Sequence, residues 1–475
     1  MIRRFAFSLI RFFAFSLIAI FEGAPPTMKT VLVLGTGMVA GPAITYLLAL
    51  PEIQVRVASL DYERAQALIG GHPRGAAQRL DVEDQAALRD AIAAPEVSLV
   101  ISLLPYIYHV KVAEVCVAHG KHLVTTSYVS PEMRALDKAA SEAGVTLLNE
   151  IGADPGMDHM SAMRVIHEVQ EAGGEITRFR SWCGGLPAPE ANTNPLGYKF
   201  SWSPRGVLLA GRNPAHYLEE GEEITIPAGE LFEHHWPVAI PGLPLLEGYP
   251  NRDALPYADL YGIRTARTLF RGTLRYPGWC EALNVLLKLG FLELEPQTWP
   301  QATLGAWTAA LLGCEDTRPD AVRRALAARA GLDPHAAPVE ALAWLGLFSA
   351  DPLPLRHGGP IDVLTACMLA RMQFAADERD MLVMHHEFGI AYPEREEHRT
   401  STLLVYGIPG GDTAMARAVG LSAAIGGRLL LEGALRRPGV LIPTLPEIYL
   451  PVLGELASYG LRFEEQGTVV AGGPA

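Results

Sequence analysis

The sequence predicts an α/β protein built on a doubly wound parallel sheet. Three observations carry that expectation. Short apolar runs alternate with helical stretches from Met28 to about Asn149. The first run, residues 31–34, opens onto Gly35, Gly37 and Ala40 at the spacing of a GxGxxA turn. The rhythm then breaks at residues 152–158, GADPGMD, where a second domain should begin. Nearly all-apolar strands separated by helices read as a sheet buried on both faces.

Taken in order, the expected strands are 31–34, 55–58, 99–103, 122–125 and 146–148, with a further short strand before Asp81. The helices between them are 41–50, 62–68, 84–93, 110–118 and 131–143. The glycine turn lies between the first strand and the first helix, where exposed N–H groups can receive a pyrophosphate. Gly35 permits the tight turn, Gly37 leaves room for phosphates beside Met38 and Val39, and Ala40 lets the helix approach the strand. Residues 155–270 are rich in Pro and Gly with sparse strand patterns, and 280–375 read as mainly helical. Residues 317–331 open with a proline and close with a glycine, the start and stop signals of a helix. Residues 379–390 and 400–406 alternate like paired strands, and 413–433 form a long helix with many small residues. Residues 439–447 and 451–463 are expected to return to the first domain.

The bulk numbers narrow the function. A chain of 475 residues is too long for one core. A net charge of −13 argues against nucleic acid as a partner, yet leaves room for a small anionic substrate met by a few arginines. The five cysteines have no CxxC spacing, which fits free thiols in a reducing cytoplasm and no structural zinc. His234-His235 and His385-His386 lack a HExxH pattern, so no metal site is expected. Residues 5–10 and 13–18 both read FAFSLI. Arg11 interrupts this apolar stretch and no A-x-A cleavage site follows. Translation is therefore expected to start at Met28, with residues 1–27 an upstream misreading or a disordered tail; a membrane anchor is the alternative.

Several polar residues fall where a cofactor would pass. Asp61, after Ser59 and Leu60, either binds the ribose hydroxyls or caps the next helix. Arg64 follows one turn on, within reach of a 2′-phosphate. Asp81 and Val82 either flank an adenine or belong to a helix cap. Leu104, and Thr126, Ser127 and Tyr128, end strands at the carboxyl edge of the sheet. Asp154, between Ala153 and Pro155, either caps a helix or serves as an acid–base group. Cys183, isolated in SWCGGLPAPE, reads by itself as core. Arg252 and Arg275 lie in loops, solvated or set for bidentate carboxylate binding.

Together the segments VLVLGTGMVAGPAI, VISLLPYIYHVKV, VTTSYVSPEMR, NEIGADPGMDH, CGGLPAP, NPLGYKFSWS and RGTLRYPGWCEAL resemble the glutamate-forming saccharopine dehydrogenases, also called saccharopine reductases. The resemblance runs from about Lys29 to the C-terminus. It implies a Rossmann-type domain over 28–152, completed by 435–475. It also implies an α/β substrate and dimerisation domain over 153–275 and 376–434, with a helical insert at 276–375. The implied enzyme is a cytoplasmic homodimer that uses NAD or NADP to interconvert saccharopine with L-glutamate and 2-aminoadipate 6-semialdehyde. Asp154, Cys183 and Tyr128 match the ionisable groups near the chemistry. Cofactor contacts carry over to Gly37–Ala40, Ser59, Leu60, Asp61, Asp81, Val82, Leu104, Thr126, Ser127, Ala153, Asp154, Pro155 and Ser203. Substrate contacts carry over to Ser127, Tyr128, Asp154, Arg252, Thr273, Leu274, Arg275 and Tyr276.

One departure stands out. NADP-using members resemble ACRT at the end of the second strand, whereas residues 58–61 here read ASLD. The arginine is replaced by Leu60 and followed by Asp61, which predicts a preference for NAD. Two rival readings remain: a related imine reductase, such as a carboxynorspermidine dehydrogenase or homospermidine synthase, and a non-catalytic dinucleotide-binding protein.

Overall fold

A computed structural model describes residues 28–470, so the expectation for residues 1–27 lies outside it. The first half of the chain forms strands β1 (Lys29–Leu34), β2 (Ile53–Ser59), β3 (Gly75–Arg79), β4 (Val97–Ser102), β5 (His122–Thr125) and β6 (Thr146–Leu148). All pair in parallel, in the order β6-β5-β4-β1-β2-β3. The chain therefore runs outward one way from β1 and the other way from β4. The crevice between β1 and β4, outside their carboxyl ends, is the switch point where such sheets bind ligands. Alternation along β1 divides the apolar residues cleanly. Val31 and Val33 join one core, and Leu32 and Leu34 join another on the opposite face. The stretch 131–143 forms two helices, Pro131–Ala135 and Asp137–Glu142, with Leu136 between them.

The second half departs most from the expected sparse strands. It opens with the helix Met157–Glu171 and the 13-residue strand β7 (Glu175–Pro187). Then follow β8 (Ala215–Glu219), β9 (Glu222–Ile226), β10 (Trp236–Val238), β11 (Leu246–Pro250) and β12 (Thr268–Arg275). Helices Trp279–Lys288, Leu304–Leu312, Pro319–Ala330, Ala337–Trp344 and Pro360–Arg371 come next, with the two-residue strands β13 (Gln297–Thr298) and β14 (His357–Gly358) among them. Strands β15 (Asp380–Tyr392) and β16 (Arg395–Tyr406) form a long antiparallel hairpin. Strand β7 pairs in parallel with β12 and antiparallel with β15.

This mixed sheet is also covered on both faces. Phe179, Cys183, Leu269, Leu382 and Met384 pack with the helix Met157–Glu171 and the long helix Ala414–Glu432. Trp182, Leu186, Phe270, Leu274 and Val383 pack with the helical segment around Trp279 and Trp307.

The end of the chain corrects two expected boundaries. β17 (Gly439–Leu441) extends the parallel sheet beside β6, but β18 (Glu464–Val470) pairs with β16 in the mixed sheet. Residues 435–470 are therefore shared between the sheets. The helix Ala414–Glu432 also serves both. Thr413 caps its start by accepting from the Ala416 amide, and left-handed Gly433 ends it. Its small residues let it lie directly on the first domain. A Cβ on Gly427 would meet Leu99 at 2.8 Å, and one on Gly426 would meet Ile151 at 2.5 Å.

Gly420 shows what this contact does for the nucleotide turn. A Cβ there would meet the Val39 carbonyl oxygen at 2.8 Å and the Ala43 nitrogen at 3.0 Å, both backbone. Replacing a helix-interior glycine by alanine ordinarily gains about 1 kcal/mol. Here over-packing reverses the sign, and Gly420→Ala is expected to cost about 1–3 kcal/mol. A fall in Tm on thermal unfolding is the expected reading; a rise would show that the helix does not support the turn.

Candidate active site

The glycine turn is built as a phosphate cradle. Gly35 has φ +101°, and a Cβ there would press on the Leu103 carbonyl oxygen at 3.0 Å. A Cβ on Gly37 would enter open space, which is the room a pyrophosphate needs. No side chain caps the helix Ala40–Ala49, whose N-cap residue is Val39; the Ala40 amide donates to the Gly37 carbonyl at 3.2 Å and Pro42 has no N–H, which leaves the Val39 and Gly41 amides to an anion. Met38 is exposed beside them. These residues fit a dinucleotide.

At the end of β2, Ser59 Oγ lies 2.9 Å from Thr36 Oγ1 and accepts from the Asp61 amide at 3.1 Å. Asp61 caps the helix Tyr62–Ile69, its Oδ1 accepting from the Arg64 amide at 2.9 Å. The capping reading is thus realised with one carboxylate oxygen, leaving Oδ2 for other partners. Leu60 is exposed. Arg64 folds back, with Nε donating to the Thr36 carbonyl at 2.9 Å. Asp81 Oδ1 accepts from the Glu83 amide at 2.9 Å, while Asp84 caps the next helix. The Val82 carbonyl accepts from Lys111 Nζ at 2.7 Å. Leu104 follows β4, and Thr126 lies against Gly152. Ser203 caps the helix Pro204–Ala210 and is exposed.

The chemistry-bearing residues meet where the loop after β6 faces the mixed sheet. Asp154 does not cap the helix Met157–Glu171; Gly156 holds that position, and its amide donates to Asp158 Oδ1 at 2.6 Å. Asp154 Oδ1 instead accepts from the Tyr128 hydroxyl at 2.7 Å and from Arg271 Nη2 at 2.7 Å. The same Nη2 lies 2.7 Å from Asp158 Oδ2, and Nη1 donates to the Tyr257 hydroxyl at 2.9 Å. Arg271 is 3 % exposed and Asp158 2 %. Among the described residues no protein donor engages Asp154 Oδ2, which leaves that oxygen to a ligand. Asp154 is followed by Pro155 through a cis bond, and Ala153 is buried beside it.

A second layer holds this cluster. His159 Nε2 lies 2.8 Å from Glu150 Oε2, and Nδ1 lies 2.5 Å from the Tyr261 hydroxyl. Glu150, at φ +54°, also accepts from the Val129 amide at 2.9 Å. Burial presses His159 toward its neutral form, but Asp158 and Glu150 outweigh it and raise its pKa. Burial pushes the Tyr128 phenol well up, so it stays a proton donor to Asp154. Burial, with Asp154 and Asp158 nearby, also pushes the Cys183 thiol well up, so Cys183 is a neutral thiol.

Register explains how these groups converge. Cys183 on β7 stands beside Thr273 on β12 and Met384 on β15, and Ser181 stands beside Arg271. Side chains alternate along β12, so Arg271, Thr273 and Arg275 share one face. The Leu274 side chain points the other way, into the core around Trp279, so any contact of Leu274 with substrate is through its backbone. Arg275 is buried among Tyr198, Trp279 and Tyr249, its guanidinium carbon 4.8, 5.4 and 6.0 Å from their ring centres. Its Nη1 reaches the Leu274 carbonyl, its Nε has no partner, and among the described residues no carboxylate pairs with it. The Tyr276 hydroxyl donates to the Pro187 carbonyl at 3.1 Å. Arg252, at φ +60°, lays its guanidinium 4.8 Å from the centre of the Tyr128 ring.

Sequence reasoning missed Arg271, Asp158, Glu150, His159, Tyr257 and Tyr261. The signal for Arg271 was its period-two spacing with Thr273 and Arg275. The signal for Asp158 was its position one helical turn beyond Asp154.

Comparison with known proteins bears on the same residues. Residues 31–148 match the model described as saccharopine dehydrogenase NADP binding domain, and 152–461 match saccharopine dehydrogenase C-terminal domain. The chain belongs to the saccharopine dehydrogenase family. It is 42% identical to the saccharopine dehydrogenase [NADP(+), L-glutamate-forming] of Schizosaccharomyces pombe, over 92% of this chain and 99% of that protein. It is 38% identical to the mitochondrial alpha-aminoadipic semialdehyde synthase of Mus musculus, over 93% of this chain and 48% of that protein. Among solved structures, apo saccharopine dehydrogenase (L-Glu forming) from Saccharomyces cerevisiae matches with a TM-score of 0.82 and 40% identity, covering 93% of this chain and all of that one.

Two outcomes follow from the cluster. Removing Arg271 leaves buried Asp158 and half-buried Asp154 without a cation, so Arg271→Leu is expected to cost about 3–5 kcal/mol in urea unfolding; a loss below about 1 kcal/mol would mean the pairs carry little. His159 has a raised folded-state pKa, so its contribution is complete below its unfolded value and fades as pH rises through the folded one. The Tm deficit of His159→Gln should therefore shrink from pH 6 to pH 9, and a growing deficit would contradict the assignment.

Proposed function

We propose that this enzyme is a saccharopine dehydrogenase of the L-glutamate-forming type, acting in lysine metabolism on the CH–NH bond of saccharopine. The reaction is saccharopine plus NAD(P)+ and water giving L-glutamate, 2-aminoadipate 6-semialdehyde, NAD(P)H and a proton. The observation that carries this reading is Asp154, fixed by Tyr128 and Arg271, with its charge close enough to raise the pKa of the Cys183 thiol. Kinship over nearly the full length of a glutamate-forming relative supports it.

When bound, the nicotinamide ring accepts hydride in one direction and returns it in the other. Gly35, Gly37 and the open start of the helix Ala40–Ala49 would hold the pyrophosphate, with Ser59 and Asp61 at the ribose. The secondary amine must lose a proton before hydride can leave its carbon, because an ammonium has no lone pair to drive departure. Asp154 Oδ2 takes that proton while Tyr128 and Arg271 hold the carboxylate through Oδ1. Water then adds to the resulting C=N bond, and the C–N bond breaks as a proton returns to nitrogen. Cys183, kept neutral, lines this path as a weak donor and not as a nucleophile. Arg275 and Arg252 carry charge to meet substrate carboxylates.

The expected assay is saccharopine-dependent absorbance at 340 nm, with Asp154→Asn lowering kcat/KM by about 10²–10⁴-fold. No turnover of saccharopine alongside turnover of carboxynorspermidine would favour the imine-reductase reading. Dinucleotide binding without any turnover would favour a non-catalytic protein.

NAD is the preferred cofactor on this reading. Leu60 cannot pair with a 2′-phosphate, and Asp61 keeps one carboxylate oxygen to accept from ribose hydroxyls. The kinship points the other way, since the matched domain is described as NADP binding. Arg64, held on the Thr36 carbonyl, is the cation that keeps NADP usable. The ratio of kcat/KM for the two cofactors decides the matter. A ratio favouring NADP refutes the preference, and Leu60→Arg with Asp61→Thr should move the ratio toward NADP by about tenfold or more.

A further inference from the structure

A three-member hydrogen-bond chain runs from Ser102 at the end of β4 to Ser127, the neighbour of Tyr128, and the chemistry above does not use it. Ser102, the last residue of β4, is fully buried. Its Oγ lies 3.0 Å from Nδ1 of His109, which opens the helix His109–Ala118 and is 4 % exposed. His109 Nε2 lies 3.0 Å from Ser127 Oγ. Ser127 is half-buried, its carbonyl accepts from the Glu150 amide at 3.2 Å, and the next residue is Tyr128.

Burial alone lowers His109 to about 4, so the ring is neutral at physiological pH and has one N–H and one bare nitrogen. Only two arrangements are then open. In one, Ser102 donates to Nδ1, Nε2–H donates to Ser127, and the Ser127 proton is uncommitted. In the other, Nδ1–H donates to Ser102 and Ser127 spends its proton on Nε2. The second leaves the Ser102 proton buried without an acceptor, because among the described residues His109 Nδ1 is the one partner of Ser102 Oγ. An unsatisfied buried donor is costly, so the first arrangement prevails. A hydroxyl that accepts from an N–H is also polarised into a stronger donor.

We infer that Ser102 and His109 are positioning residues that fix the direction of the hydrogen bond at Ser127, so that Ser127 presents its proton to a carboxylate oxygen of the bound substrate. The inference rests on the reading of this cleft as a saccharopine site, but its first test does not. In ¹⁵N NMR of histidine-labelled enzyme without ligands at pH 7, the His109 resonances are assigned by their loss in His109→Gln. They should show a bare Nδ1 and a protonated Nε2; the opposite tautomer overturns the inference.

The second test uses two amides that copy different ring nitrogens. Glutamine places an N–H near the Nε2 position, and asparagine places one near Nδ1. His109→Asn should raise KM for saccharopine about tenfold with kcat within about threefold, as should Ser127→Ala, while His109→Gln stays within about threefold of wild type. Equal KM values for the two His109 variants overturn the inference. So does a change confined to the Kd of NADH or NADPH, read by protein fluorescence, because it moves the acceptor from substrate to cofactor. Failure of the wild-type enzyme to turn over saccharopine would count against the function and leave the tautomer result standing.

Discussion

The buried guanidinium of Arg271 joins the two halves of the molecule, and the site depends on it. It comes from β12 of the mixed sheet, yet two of its partners, Asp154 and Asp158, come from the segment that leaves the parallel sheet. Moving such a cation out of water costs several kcal/mol, which attraction repays only when geometry is close and remaining donors are satisfied. The geometry is close here: two carboxylate contacts at 2.7 Å and two phenol contacts at 2.9 and 3.1 Å. The contacts to Asp154, Asp158 and Tyr128 cross between the two sheets, and none of these three survives a shift of one against the other. The ion cluster is therefore a weak source of net stability and a strong source of alignment.

That alignment is supported from the other side by packing. The helix Ala414–Glu432 lies on both sheets, touching the backbone of the glycine turn through Gly420 and the parallel strands through Gly426 and Gly427. Asp380, at the start of β15, accepts from the amides of Ala414 and Met415 and so ties this helix to the mixed sheet. The phosphate cradle and the acid–base cluster are thus held by one helix and one cation. Each is anchored in backbone or in fully buried atoms, which leaves little freedom between them.

The parallel sheet was legible because its strands are continuous apolar runs and its turn carries glycines with a mechanical reason. The helices expected at 84–93 and 413–433 were legible as well, and the structure finds Asp84, Thr413 and Gly433 at their ends. The mixed sheet was harder to read. β7 carries two arginines and two glycines, and its faces are both buried, so neither alternation nor a polar side marks it as a strand. β18 is exposed along its length and has no apolar pattern at all; pairing with β16 alone places it. In the site, Asp154 and Tyr128 were legible at strand ends. Arg271 was not, because a charged residue inside a strand reads as solvent-facing until its carboxylate partners, more than a hundred positions away, are brought beneath it.

The three arginines near the site now divide by what their charge already meets. Arg271 is committed to Asp154 and Asp158 and cannot also serve a ligand without releasing one of them. Arg275 is equally buried but has aromatic rings and its own strand's carbonyl for neighbours, with Nε unpartnered. A desolvated cation left without an anion is poorly stabilised, and an incoming carboxylate would relieve that state with a bidentate pair. Arg252 sits at the rim over Tyr128, where its charge is screened and its approach is free. A chain with a net charge of −13 can thus receive an anion at this place. Its negative charge is spread over the whole chain, whereas Arg252 and Arg275 carry theirs where a substrate's carboxylates would lie.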